Sequence, residues 1–428
     1  RECRMKVTIT PTRLEGQIRI PSSKSMTHRE IIASALAHGE SRLTGVSWSQ
    51  DIEATVRILS LLGASIQRQE GTEGTTLLIK GGLKAQGKPV TAHAGESGST
   101  LRFLIPLGLV SGNEMTYTGE GRLAERPLSP YYQIFDEKGI TWKGKNGLPL
   151  YVKGQLLPGT YALSGNVSSQ FFTGLLFALP LLEGNSRLVS TTPLESESYV
   201  KMTLDTLARH GITVNEAGRG QYEIPGNQTY KAGNFAVEGD FSQAAFWLAA
   251  GLLGGPITLK GLSMDSLQGD KAIVSLLRRM GGCIEETGEG LYAGKSRLHG
   301  IVMDAENVPD LVPVMAALAA VSEGTTEIVH AERVRLKECD RLHAMAVELS
   351  RLGARVEEKE DGLVIHGGGP LHGGVVSSWN DHRIAMALAS ISPAIEGRLT
   401  IDGADSVRKS YPRFWDDFVK TGGQCNYE

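Results

Sequence analysis

The sequence predicts an α/β protein built from six related units of about 70 residues, three in each of two domains. Three observations lead there. First, 428 residues exceed what one ordinary core organises and imply two large domains. Second, one phrase recurs: a helical apolar pattern, a glycine, then a β-like stretch. Its glycines are Gly63, Gly139, Gly211, Gly281, Gly353 and Gly422, spaced 69 to 76 residues apart. A glycine after the last helical turn is the expected left-handed cap. Third, segments just beyond these glycines (Ser65-Ile66, Thr213-Val214, Arg355-Val356) suit strands.

In chain order, a strand over Met5–Thr10 precedes the first unit and is expected to complete the last one. Pro21-Ser22-Ser23-Lys24-Ser25-Met26-Thr27-His28-Arg29 then leads into an apolar-periodic run, where a helix should begin. Further helix starts are expected at Gly95–Arg102 (running to about Val110), Asn166–Gln170 (through Leu176) and Ser196–Tyr199 (ending at His210). A helix-like run over Phe241–Leu252 follows the break between the third and fourth units. Val308-Pro309-Asp310 opens a helix through Ala320, with proline suited to a first turn. Lys337–Arg341 and Asn380–Arg383 open two more, and Arg408–Pro412 precedes the last. The domains are expected at 21–239 and at 1–20 plus 240–428. The chain then crosses twice, at 20–21 and 239–240, making a hinge with a ligand cleft between the halves.

Composition narrows the function. A net charge of −3 argues against nonspecific nucleic-acid binding, which wants a clearly basic surface. The longest apolar run, Phe171–Leu182, is broken by Thr173, Gly174 and Pro180 and is too short to span a bilayer. Arg1-Glu2-Cys3-Arg4 leads into a polar strand and gives no signal peptide; Met5 is read as the natural start. Cys3, Cys283, Cys339 and Cys425 show neither metal-type spacing nor a disulfide framework, so a cytoplasmic protein with reduced thiols is expected.

Polar clusters gather at the helix starts. Ordinary capping explains Ser, Asp and Asn there. It does not explain Lys24, Arg29, Arg102, Arg126, Lys337, Arg341, Arg383 and Lys409, because cations near a helix N-terminus oppose its dipole. A polyanionic ligand gathered by several helix starts accounts for the set. Two motif matches fail. Gly95–Arg102 lacks the Gly-Lys-Ser/Thr ending of a phosphate loop, and Gly119–Ala124 fits a dinucleotide fingerprint whose helix Pro127 would interrupt. His28 and His382 lack metal-ligating company, so neither a metal nor a cofactor is expected.

PSSKSMTHR (21–29), ERP (125–127), SSQ (168–170), PD (309–310), KECDR (337–341), NDHR (380–383) and RKSYP (408–412) together resemble the 5-enolpyruvylshikimate-3-phosphate synthases. The resemblance runs in order along nearly the whole chain. It implies two similar domains, each of three βαβαββ units about an approximate threefold axis. It also implies joining of phosphoenolpyruvate to 3-phosphoshikimate with release of phosphate, in a monomer that needs no nucleic acid or membrane. By motif, Lys24, Ser25, Arg29, Ser168, Ser169, Gln170, Ser196 and Tyr199 correspond to the phosphoshikimate site, with Asp310 and Lys337 meeting the ring hydroxyls. Lys24, Gly98, Arg126, Gln170, Arg341, Arg383 and Lys409 correspond to the phosphoenolpyruvate pocket. Asp310 is the candidate base, and Glu338 or Lys24 the candidate proton donor.

Three positions depart from the family pattern. Glu96 stands where a neutral Asn is frequent, Arg333 where some members have Asn, and Cys339 where Thr is common. Gly98 leaves its pocket uncrowded, which implies sensitivity to glyphosate. The rival of the same architecture, the transferase acting on UDP-N-acetylglucosamine, has Lys-Asn where this chain has Lys24-Ser25. It also carries a loop cysteine, and residues 119–126 have none. A non-catalytic binder of phosphorylated metabolites is the remaining alternative.

Overall fold

A computed structural model describes residues 5–71, 74–145 and 147–428; the opening tetrapeptide, with Cys3, lies outside them. The chain divides into two compact units, one running to Ser23 and resuming at Glu238, the other spanning Lys24–Val237. The crossings thus fall at 23/24 and 237/238, a few residues from the expected 20–21 and 239–240.

Six four-stranded sheets share one plan. Val90–His93 pairs in parallel with Met115–Thr118, which pairs antiparallel with Leu150–Lys153, itself antiparallel to Thr141–Lys143. Thr160–Leu163, Ser186–Ser190, Gln221–Ile224 and Asn215–Gly218 repeat that order, as do Val302–Asp304, Thr325–Val329, Leu363–His366 and Arg355–Glu358. The other three sheets use strands distant in sequence. Asn234–Ala236 supplies the parallel edge for Glu40–Val46, and Gly16–Arg19 does so for Ile257–Lys260. The strand Lys6–Thr10 lies between Ile395–Asp402 and Gln424–Tyr427, antiparallel to both. One sequence expectation shifts: Thr213-Val214 precedes its strand, which begins at Asn215.

Two helices serve each sheet, and their sequences explain their places. Gly98–Val110, Gln170–Ala178, Phe241–Leu253 and Val312–Ala320 are predominantly apolar, with any polar residues near the N-terminal end, and buried along nearly their whole length. Lys24–Leu36 and His382–Ser390 belong to the same set, with polar residues confined to their first turns or to buried contacts. The second helix of each unit is amphipathic or short: Gln50–Leu61, Ser129–Lys138, Glu197–Arg209, Ile273–Arg279, Arg341–Arg351 and Phe414–Lys420. The six repeat glycines follow these helices, and all six have positive φ, between 69° and 115°. Only glycine takes that conformation without strain, so the repeat is anchored by backbone geometry.

Each unit has its own core. Strands alternate buried and outward residues, as in Leu150–Lys153, so a one-residue slip would turn apolar side chains outward. Among the described residues, no helix is long and apolar enough to cross a membrane.

Candidate active site

The expected site residues lie near the N-terminal ends of both the buried and the amphipathic helices, in one cluster per unit. Two differ: Arg126 follows a 3₁₀ turn and Lys409 ends one. In the unit Lys24–Val237, Lys24 is the first residue of its helix, and its Nζ meets Asp51 Oδ2 at 2.8 Å. Asp51 sits in the first turn of Gln50–Leu61, where Ser49 caps the helix by accepting from the Ile52 amide at 3.3 Å. One turn beyond Lys24, Arg29 is buried. Its Nε donates to Thr203 Oγ1 (2.9 Å), its Nη1 to the Ser25 carbonyl (2.8 Å) and its Nη2 to the Tyr199 carbonyl (3.0 Å). The Phe103 ring lies 5.1 Å from the guanidinium carbon. Among the described residues no carboxylate pairs with Arg29. Burial without a counter-charge pulls its pKa down to about 10. Burial, then Lys24 and Arg29 themselves, hold the neighbouring His28 imidazole neutral, with its Nδ1 on Thr55 Oγ1 at 2.8 Å.

The Ser168–Gln170 turn is fixed to the next helix start. Ser168 Oγ accepts from the Gln170 amide at 3.2 Å, and Ser169 is buried at the cap position. Gln170 Oε1 accepts from Arg102 Nη1 (2.9 Å), and Gln170 Nε2 donates to Ser99 Oγ (3.0 Å). Arg102 also donates to the Pro127 carbonyl at 2.9 Å, which ties down the turn carrying Arg126. Arg126 is buried, and its Nε has no hydrogen-bond partner. Its guanidinium passes so close to Gly98 that a Cβ there would sit 2.6 Å from Cζ. Ser196 adopts the left-handed region at φ 54°, a costly conformation for serine, immediately before the helix that carries Tyr199. The carboxylate of Glu96 leans on Gly121, where an added Cβ would meet Oε2 at 2.7 Å.

In the other unit, Asp310 occupies a 3₁₀ turn ahead of Val312–Ala320 rather than the helix itself. It accepts from Arg341 Nη1 (2.9 Å) and Arg383 Nη2 (3.5 Å), with Lys337 Nζ at 3.7 Å. Burial alone would raise its pKa, but Arg383, Lys337 and Arg341 outweigh burial and hold the carboxyl well below the usual range. Arg341 is a hub: besides Asp310 it donates to Glu338 Oε2 (2.7 Å) and Asp381 Oδ2 (2.8 Å). Asp381 in turn caps His382–Ser390 by accepting from the Arg383 amide at 2.9 Å. Arg383 is buried and its Nη1 lacks a partner. Lys409 Nζ donates to the Asn380 carbonyl at 2.5 Å, and both Trp379 and Asn380 sit at positive φ. Glu348, fully buried, braces that turn through the Trp379 indole (2.8 Å) and the Ser377 amide (3.2 Å).

The two clusters differ in charge. In the first, Asp51 pairs with Lys24, while Arg29, Arg102 and Arg126 add three further cations; the second sets Lys337, Arg341 and Arg383 against Asp310, Glu338 and Asp381. Two other departures resolve locally. Arg333 donates to the Glu306 carbonyl at 2.5 Å. The Cys339 thiol donates to Asp381 Oδ2 at 3.4 Å, and burial beside that carboxylate pushes its pKa far up, so thiolate is suppressed. Sequence reasoning missed Asp51, which reads as an ordinary first-turn acid, and it missed Asp270, which stands in no capping phrase.

A family model described as EPSP synthase (3-phosphoshikimate 1-carboxyvinyltransferase) matches residues 9–418. The chain belongs to the EPSP synthase family. A Clostridium kluyveri relative named 3-phosphoshikimate 1-carboxyvinyltransferase is 52% identical over 421 residues, covering 98% of each chain. One of the same name from Clostridium acetobutylicum is 50% identical, again over 98% of each. Among solved structures, EPSP synthase from Acinetobacter baumannii superposes with a TM-score of 0.81 at 26% identity, covering 99% of this chain and 100% of that one. The enolpyruvyl transferase NikO from Streptomyces tendae shares the fold, with a TM-score of 0.80 at 20% identity over 99% of each chain. The architecture expected of an EPSP synthase is the one observed, six sheets of one plan in two units.

Proposed function

We infer that this chain is a 3-phosphoshikimate 1-carboxyvinyltransferase of the shikimate pathway, serving chorismate and aromatic amino acid biosynthesis. It transfers the enolpyruvyl group of phosphoenolpyruvate to the 5-hydroxyl of 3-phosphoshikimate and releases phosphate. The observation that carries this reading is the family match over residues 9–418. The basic clusters near the helix starts suit the chemistry. Both substrates bring a phosphate and a carboxylate, and their repulsion has to be offset before they react.

Roles follow from the chemistry of each group. Arg29, with only neutral oxygens around it, suits the phosphoshikimate phosphate, together with Lys24, Ser25, Ser168, Ser169, Gln170, Ser196 and Tyr199. Arg126 and Arg383 each keep a buried nitrogen without a partner and suit phosphoenolpyruvate, with Lys24, Gly98, Gln170, Arg341 and Lys409. Asp310 takes the 5-hydroxyl proton as oxygen adds to the central carbon of phosphoenolpyruvate, and Lys337 meets the ring hydroxyls beside it. Glu338 or Lys24 supplies a proton to the methylene carbon. The tetrahedral adduct then loses phosphate by C–O cleavage and a methyl proton, restoring the double bond. Three cations make Asp310 a weak base. Anions drawn to Arg341 and Arg383 weaken that hold and strengthen the base, which ties proton removal to substrate occupancy.

Phosphate release tests the reading directly. It should require phosphoenolpyruvate and 3-phosphoshikimate together. Release with UDP-N-acetylglucosamine as acceptor would transfer the assignment to the sister reaction, and no release at all would leave a binding protein.

A further inference from the structure

Asp270 is a buried acid that none of the roles above uses. It lies on the short 3₁₀ turn Gly269–Ala272, is 3% exposed, and is held from one side only. Ser242 Oγ donates to its Oδ2 at 2.5 Å, while its Oδ1 is buried without a hydrogen-bond partner. Ser242 sits in the first turn of Phe241–Leu253, whose cap Asp240 accepts from the Ser242 amide at 2.8 Å.

The charged groups that face Asp270 come from three other elements: Asp310, Arg383 and Asp240. Lys271, on its own turn, is directed to the Met264 carbonyl, and Arg278, on the following helix, to the Ile284 carbonyl. Arg383 is the cation in this group, and its Nη1 is buried and unpartnered while its Nη2 reaches Asp310 at 3.5 Å. The turn Gly269–Ala272 and the helix His382–Ser390 both pack against Phe241–Leu253, which brings an orphaned carboxyl oxygen and an orphaned guanidinium nitrogen into one buried neighbourhood. Burial first, and then Asp310, push the Asp270 pKa up to about 7, against the pull of Ser242 and Arg383.

We propose that Asp270 is a positioning residue for the anion site: ionised it offsets the charge of Arg383, and protonated it leaves that charge to phosphoenolpyruvate. This rests on the assignment of Arg383 to phosphoenolpyruvate. A neutral Asp270 below pH 7 leaves Arg383 faced by Asp310 and Asp240, whereas an ionised one adds a third carboxylate to the same cation. Ionisation of Asp270 should therefore weaken substrate binding as pH rises, against the strengthening that deprotonation of the substrate's own phosphate causes.

The test compares the intact wild-type enzyme with Asp270→Asn, using phosphoenolpyruvate affinity in the presence of 3-phosphoshikimate across pH 5.5–8.5. Taking the ratio of the two dissociation constants cancels the titration of the ligand. The ratio of wild type to variant should rise at least threefold between pH 6 and pH 8, with its midpoint near 7; a flat ratio overturns the proposal. Ser242→Ala removes the hydrogen bond that favours the ionised form, so its midpoint should move to higher pH; an unmoved midpoint also overturns the proposal. If Asp270→Asn fails to fold, the ratio of wild type to Ser242→Ala replaces it and should peak between the two midpoints; a flat ratio overturns the proposal. Wild-type turnover with a flat ratio refutes this proposal only, whereas absence of phosphate release from the two substrates refutes the functional reading.

Discussion

The guanidinium of Arg126 stands where a side chain on Gly98 would begin, 2.6 Å from the position of a Cβ. That distance is far below any real Cβ contact, so Gly98→Ala must displace Arg126. Losing one charge-assisted contact costs about 1.5–3 kcal/mol, so the KM for phosphoenolpyruvate should rise by about 10- to 100-fold. Affinity for 3-phosphoshikimate should change far less. Steady-state kinetics with each substrate varied in turn checks both halves. Glyphosate inhibition should weaken in the same variant if the inhibitor uses Arg126.

Arg29 and Arg341 are equally buried but oppositely partnered, and their variants should differ in kind. Arg29 meets only neutral oxygens and two aromatic rings, Phe103 and Tyr199. Arg29→Met should leave the thermal midpoint close to that of wild type while abolishing measurable binding of 3-phosphoshikimate by calorimetry. Arg341 bridges Asp310, Glu338 and Asp381. Removing it strands buried carboxylates, so Arg341→Met should cost about 3–5 kcal/mol of stability, read by urea unfolding.

Asp310→Asn keeps the shape of the site but removes the proton acceptor. Turnover should fall by about 10²- to 10⁴-fold, while calorimetry still shows both ligands bound. The pH dependence of folding carries a second signature. A carboxyl held below its unfolded value stabilises the fold above the ordinary Asp range, and that stability is lost as pH falls through the depressed folded value. The asparagine variant should therefore lose less stability than wild type between pH 5 and pH 2.

Cys339 should resist alkylation in the folded enzyme. Cys283 is exposed, whereas Cys339 is buried with its thiol pushed far up by desolvation and Asp381. Iodoacetamide at pH 8 should modify Cys283 with activity retained, and peptide mapping should find Cys339 labelled only after unfolding.

Much of this was legible in the sequence because it is local. Each repeat glycine reports its own backbone, and six at near-constant spacing expose the sheet plan. Capping residues and apolar runs placed the helices, although Asp310 fell on a preceding 3₁₀ turn. What stayed hidden is pairing across sequence distance. Arg29 finds Thr203, and Arg341 finds Asp381, only after helices pack. For the same reason a string of cations looked equally available, whereas Arg341 is already satisfied and Arg126 is not. Asp51 and Asp270 carry no local phrase that sets them apart from solvated acids.

The strand Lys6–Thr10 is made long before its partners, which both lie beyond residue 394. Its sheet cannot close until Gln424–Tyr427 has been made. The unit Lys24–Val237, by contrast, has every strand in hand once Asn234–Ala236 emerges. Translation thus sets an order of maturation, with the internal unit assembled early and the split one waiting on the final strand Gln424–Tyr427. Disruption of Lys6–Thr10 or of Gln424–Tyr427 therefore strikes the same sheet.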